Sequence, residues 1–162
     1  MSRTVPQIRV ALVNNIMWCT RQPQQSEIHY AEVRPYPLVV WRTVPFTTDC
    51  SGFSIIVSKW TTDCPDPSGH GFNGTGNSDS VDCNLNSIPL ADVQAGDFVV
   101  YGPEGATVHM APIVSVGDTP MVVSHGNSQG PLYMSLADLT SGFPGQRVAY
   151  KQLVPGDNLA ID

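Results

Sequence analysis

The sequence predicts an α+β domain, with N-terminal helices packed on an antiparallel β-sheet. Three observations predict it. Apolar residues in the first half recur with helical spacing. Pro- and Gly-dense stretches then interrupt the chain. The second half is a series of short β runs separated by turn residues, without an internal repeat.

Residues 7–22 carry Ile8, Val10, Ala11, Leu12, Ile16, Met17 and Trp18 and read as an amphipathic helix, ended by Pro23 and the polar run Gln24-Gln25-Ser26. Pro35, Pro37 and Pro45 forbid a long helix over residues 35–46 and predict an extended approach to Cys50. Thr48 and Asp49 are N-cap residues. Beyond them Phe53, Ile56, Val57 and Trp60 fall at i, i+3, i+4 and i+7, which predicts a helix opening at Cys50. Residues 63–87 are dense in Gly, Asn, Asp, Ser and Pro and read as one long surface loop. Residues 87–93 give a turn or a single helical turn. Strands are predicted over 98–101, 107–116, 121–124, 132–136 and 147–153, with Gly117-Asp118-Thr119-Pro120 joining the second to the third.

A chain of 162 residues, 41% hydrophobic and 14% charged, suits one loop-rich domain over residues 1–162, its core at about 30–150. The formal net charge of -6 argues against nucleic acid and anionic membranes as partners, and no apolar run is long enough to span a bilayer. The first residues hold no signal-peptide stretch, which predicts synthesis in the cytoplasm. Cys19, Cys50, Cys64 and Cys83 form no CxxC and no zinc-finger spacing with His, so neither a metal site nor a cofactor is expected. Cys64 and Cys83 bracket the long loop, and whether they are bridged stays open.

A thiol in the first helical turn meets the positive end of the helix dipole and unpaired backbone N–H groups, which favour the nucleophilic thiolate. The plainer alternative is a small buried cysteine packed under the helix. Asp49 reads as a cap, and Ser51 lacks the pKa advantage of the thiol. If the turn centres near residue 117, His109 and His125 stand opposite each other on adjacent strands, one as base for a nucleophile and the other as its orienter. A slip of one residue would put them on opposite faces.

These residues carry a resemblance. Asp49-Cys50-Ser51-Gly52-Phe53, then Ala95-Gly96-Asp97-Phe98-Val99-Val100-Tyr101, then a strand bearing His109, resembles the NlpC/P60 family of papain-like cysteine peptidases. The resemblance covers about residues 30–150. It implies a cysteine-headed helix on an antiparallel sheet and a catalytic set of Cys50, His109 and His125. It also implies a tyrosine at the oxyanion site, for which Tyr36 is the better candidate and Tyr30 the second, alongside the backbone N–H of Cys50. Residues 66–74 and 123–131 are similar to peptidase domains of actinobacterial phage lysins and tail proteins. The implied activity is cleavage of amide bonds in peptidoglycan stem peptides. The rivals are an N-acetylmuramoyl-L-alanine amidase of the same fold and a non-catalytic virion or tail module. A phage product of this kind would reach the cell wall by holin-type release or on a virion, alongside other virion or lysis proteins. The sequence departs from the family after His109, where Pro112 predicts an interrupted or edge strand.

Overall fold

A computed structural model describes residues 3–127 and 129–153. Ser128, inside one of the phage-like stretches, and the first two residues of the N-terminus lie outside the described residues.

Helix α1 (Val5–Trp18) starts two residues earlier than the apolar pattern suggests. Thr4 caps it, accepting from Gln7 N–H while the Gln7 side chain accepts from Thr4 N–H. A single turn, α2 (Gln24–Glu27), follows Pro23 and leads into β1 (Ile28–Tyr30). The proline-rich stretch is free of regular structure until β2 (Phe46–Thr48), which pairs with β1 in parallel, a pairing that the prolines hid. Helix α3 (Cys50–Lys59) opens where the caps predict.

The region read as one loop contains α4 (Ser78–Asn84). Its capping box, Asn77 with Ser80, is built from residues that also favour turns. After β3 (Ser87–Ile88) and a 3-10 turn (Leu90–Asp92) come β4 (Phe98–Tyr101), β5 (His109–Ser115), β6 (Met121–Ser124) and β7 (Leu132–Ser135). Helix α5 (Leu136–Ser141) was not anticipated. It starts where Ser135 caps it, directly at the end of the strand. Strand β8 (Val148–Lys151) ends the series. The strands form one six-stranded antiparallel sheet in the order β3-β8-β4-β5-β6-β7.

Both faces of this sheet are covered, so β4 is buried at every position and reads as an unbroken apolar run. Phe98, Val100, Met110, Val114 and Val123 pack with α1 and α3, through residues such as Leu12, Phe53 and Ile56. Val99, Tyr101, Ala111, Ile113 and Val122 pack with Leu136 and Leu139 of α5. The Gly96-Asp97 pair fixes the start of the sheet. Asp97, fully buried, accepts from Arg9 (2.7 Å), Gln94 N–H (2.8 Å) and Leu153 N–H (2.8 Å), tying α1 to two distant segments.

Pro112 does not make β5 an edge strand. On the β4 side the bonds are made by Ile113, whose N–H donates to Asp97 and whose carbonyl accepts from Gly96 N–H. By alternation, the missing N–H of Pro112 faces β6. There the register slips between Ile113 and Ser115, a bulge in the ladder.

Candidate active site

Cys50 lies at the first position of α3 and is 8% exposed. The turn around it is built from its neighbours. Asp49 accepts from Gly52 N–H (2.8 Å) and from the Ser51 hydroxyl (3.0 Å), and Arg34 donates to both Asp49 and Ser51 (3.0 Å each). A Cβ at Gly52 would collide with the Thr48 hydroxyl, so glycine is what lets the helix start close to β2. The N–H groups of Met110, Ser51 and Cys50 itself are turned to the sulfur and lower its pKa. Burial outweighs them, with Asp49 adding to it, and the thiol is pushed up to about 11. The expectation of a depressed pKa is therefore overturned, because the dipole acts on a site with too little water. Among the buried thiols, Cys64 is pushed further, to about 12, and Cys19 higher still, both by burial.

His109, the first residue of β5, lies beside the Met110 N–H that faces the sulfur. The residues of the strand alternate. Met110 joins the α3 cluster, and the His109 ring stacks on Phe143 (5.2 Å, 12°) and Tyr101 (6.3 Å, 22°) toward the α5 side. Cys50 and His109 share no hydrogen bond, and the link between them runs through Met110, which follows His109 on β5 and whose N–H faces the sulfur; catalytic hydrogen bonds are commonly made only when substrate is bound. His109 Nε2 meets the Ser124 hydroxyl at 2.9 Å. When Nε2–H donates there, the basic lone pair sits on Nδ1. Burial holds the imidazole down at about 4, with His125 adding to the effect.

His125 does not orient His109. Its Nε2–H donates to the carbonyls of His29 (3.1 Å) and Thr48 (3.0 Å), which ties β1 to β2 just ahead of Cys50. Its ring packs on Tyr30 and Phe53. The physical reason is the β5 bulge. It shifts the register by one, bringing Gly126 against the His109 ring and Ser124 onto the same face as His109. Burial also lowers the pKa of His125.

A cleft of about 410 Å³ opens over Cys50, walled by Tyr30, Arg34, Asp49, Ser51, Thr107 and Val108. Tyr30 is the tyrosine of this cleft. Its phenol pKa is raised by burial and then by the neighbouring Cys50 and Asp49. Tyr36, the candidate favoured from the sequence, is fully buried below the 66–76 segment, where burial pushes its phenol up to about 12. It stands outside the cleft, held under that segment by its N–H, which donates to the Gly74 carbonyl (2.9 Å).

No family model matches the sequence, and no curated protein matches it. Among solved structures, the crystal structure of the NlpC/p60 domain of peptidoglycan hydrolase SagA matches with a TM-score of 0.56 at 17% identity. The match covers 89% of this chain and 98% of that one. The fold is that of an NlpC/p60 domain.

On this NlpC/p60 fold, sequence reasoning missed Ser124, Phe143 and Arg34. Ser124 stood next to the expected His125, and a bulge leaves no mark in composition. Phe143 reaches His109 from the unpredicted end of α5. Arg34 stands just before Pro35 in a stretch without helix or strand pattern, and nothing local ties it to Asp49. His29 contributes a carbonyl rather than its ring, and His70 is exposed, 3.3 Å from the Thr75 hydroxyl. All four cysteines are free thiols, Cys64 buried and Cys83 exposed. Among the described residues no group of three His, Cys, Asp or Glu is arranged to hold a metal ion, and no helix is long and apolar enough to cross a membrane.

Proposed function

We propose that this protein is a cysteine hydrolase that cleaves amide bonds in peptidoglycan stem peptides. The observation that carries the proposal is the position of Cys50. On an NlpC/p60 fold, the thiol heads a helix at the base of a cleft, with three backbone N–H groups turned to its sulfur and His109 one residue from one of them.

In this reading both groups rest neutral, since burial disfavours the charge on each, and bound substrate brings the thiol and the imidazole together. Attack on the scissile carbonyl is coupled to transfer of the thiol proton to His109 Nδ1, and the imidazolium then protonates the leaving amine. Ser124 accepts from Nε2–H and holds the tautomer, while Tyr101 and Phe143 hold the plane of the ring. The Cys50 N–H and the Tyr30 hydroxyl are the donors for the developing oxyanion. Water releases the acyl group. His125 keeps β1 and β2 in place beneath the nucleophile. The phage setting is part of the proposal and rests on residues 66–74 and 123–131. In that setting holin-type release or a virion delivers the protein to the wall.

Mass spectrometry of purified peptidoglycan after digestion tests the reading. The expected product carries a new amine between two stem residues. Stem peptides released whole from the lactyl group would replace the endopeptidase by the amidase of the same fold.

A further inference from the structure

At the end of α3 opposite Cys50, the chain exposes apolar side chains that its core does not need. Trp41 is 58% exposed and Val40 74%. The Trp41 indole is nonetheless fixed. Its Nε1–H donates to Asn15 Oδ1 (3.1 Å), the oxygen that also accepts from Arg42 Nε (3.2 Å), and the buried Asn15 is itself anchored to Thr61 (3.1 Å). The Arg42 guanidinium lies over Trp41 (4.8 Å) and Trp18 (5.8 Å). Arg42 adopts φ +48°, a left-handed conformation that a non-glycine residue rarely keeps without a reason. Between α1, Trp41 and the end of α3 lies a cavity of about 460 Å³, rimmed by Arg3, Asn14, Asn15, Arg42 and Trp60.

We propose that this cavity is a saccharide-binding site in which the exposed face of Trp41 stacks on a pyranose ring of a glycan strand. A pyranose offers one C–H face and an edge of hydroxyl and acetamido groups. The cavity offers one rigid indole face surrounded by amide and guanidinium donors. The ordering of the indole is completed before binding, which removes much of the entropic cost of capture. The cavity itself sets the Trp41 ring among polar groups, with Val40 outside its rim, whereas a protein partner would call for a wider apolar floor.

The position suits a polymer. Ten residues of α3 separate Cys50 from Trp60, about 15 Å at 1.5 Å per residue. A stem of four extended residues reaches about 13 Å, short of that span, so the strand at Trp41 would be a neighbour, in the same cross-linked polymer, of the strand whose stem lies at Cys50. The identity of that polymer rests on the proposed hydrolase reading. The stacking site itself rests on its own geometry.

The test uses the full chain carrying Cys50→Ala and a peptide-free N-acetylglucosamine tetramer, followed by calorimetry and tryptophan fluorescence. Saturable binding is expected. Trp41→Ala should weaken it about tenfold or more, the loss expected when a stacked aromatic face is removed. Asn14→Ala, at an exposed position, should weaken it a few-fold with an unchanged circular dichroism spectrum, and it decides the matter if Trp41→Ala folds poorly. No binding by the Cys50→Ala chain overturns the proposal, and so does an unchanged Kd in the folded variants. The probe contains no stem amide, so a failure of the hydrolase reading would leave this measurement standing.

Discussion

Burial of His109 makes a prediction about acid pH that can be worked from the structure. In the unfolded chain the imidazole titrates near 6.5, and in the fold it is held at about 4, chiefly by loss of water and secondly by His125. Between those values the unfolded state binds the extra proton, so stability rises with pH through the window and is lost as pH falls through it. A drop from 6.5 to about 4 is worth about 3 kcal/mol when complete, and about 2–3 kcal/mol of it is gone by pH 4.5. His125, also lowered, acts in the same direction. Urea unfolding of the parent and of His109→Asn, from pH 7.5 to 4.5, isolates the contribution because the other groups titrate alike in both. The variant should lose about 2–3 kcal/mol less than the parent across that range. Parallel curves would refute the account of a buried, neutral imidazole. The same state keeps the base unprotonated in mild acid, so the acid limb of kcat/KM is expected near pH 4, well below the usual histidine range.

Other substitutions separate the roles assigned above. Asp97→Ala removes the carboxylate at 2.7 Å from the buried Arg9 and the acceptor for the Gln94 and Leu153 N–H groups, three interactions in a fully buried place. A loss of about 3–5 kcal/mol in chemical denaturation is expected. Gly52→Ala drives a Cβ into the buried Thr48 hydroxyl and should cost about 1–3 kcal/mol, measured the same way. Ser124→Ala should lower kcat about tenfold with little effect on thermal stability. His125→Ala should lower the melting temperature, because the His29 and Thr48 carbonyls lose their shared donor. The reverse pattern in this last pair would return His125 to the role of orienter.

Much of the fold is legible in local pattern. The Asp49 cap and the spacing of Phe53, Ile56, Val57 and Trp60 mark α3, and the apolar run 98–101 and the turn at 117–120 mark the sheet, because each depends on neighbours in sequence. Helix α4 escaped because its cap, Asn77, looks like a turn residue until the following chain is seen to coil, and α5 because its cap, Ser135, falls inside the apolar run read as a strand over 132–136. The site was legible at Cys50 and at the strand bearing His109. The partner of His109 was not. A one-residue bulge decides whether Ser124 or His125 shares its face, and that bulge depends on how β6 meets a proline-containing strand. The direction of the thiol pKa was missed for a similar reason. The helix terminus is visible in sequence, whereas the burial that outweighs it depends on β5 and the segments packed over the turn.

Release of new amines from purified peptidoglycan by the parent and by Cys50→Ala, at equal folded concentration, tests the central claim most directly. The account predicts steady release by the parent and none above background by the variant. Equal release by both would contradict it, and so would a parent that releases nothing.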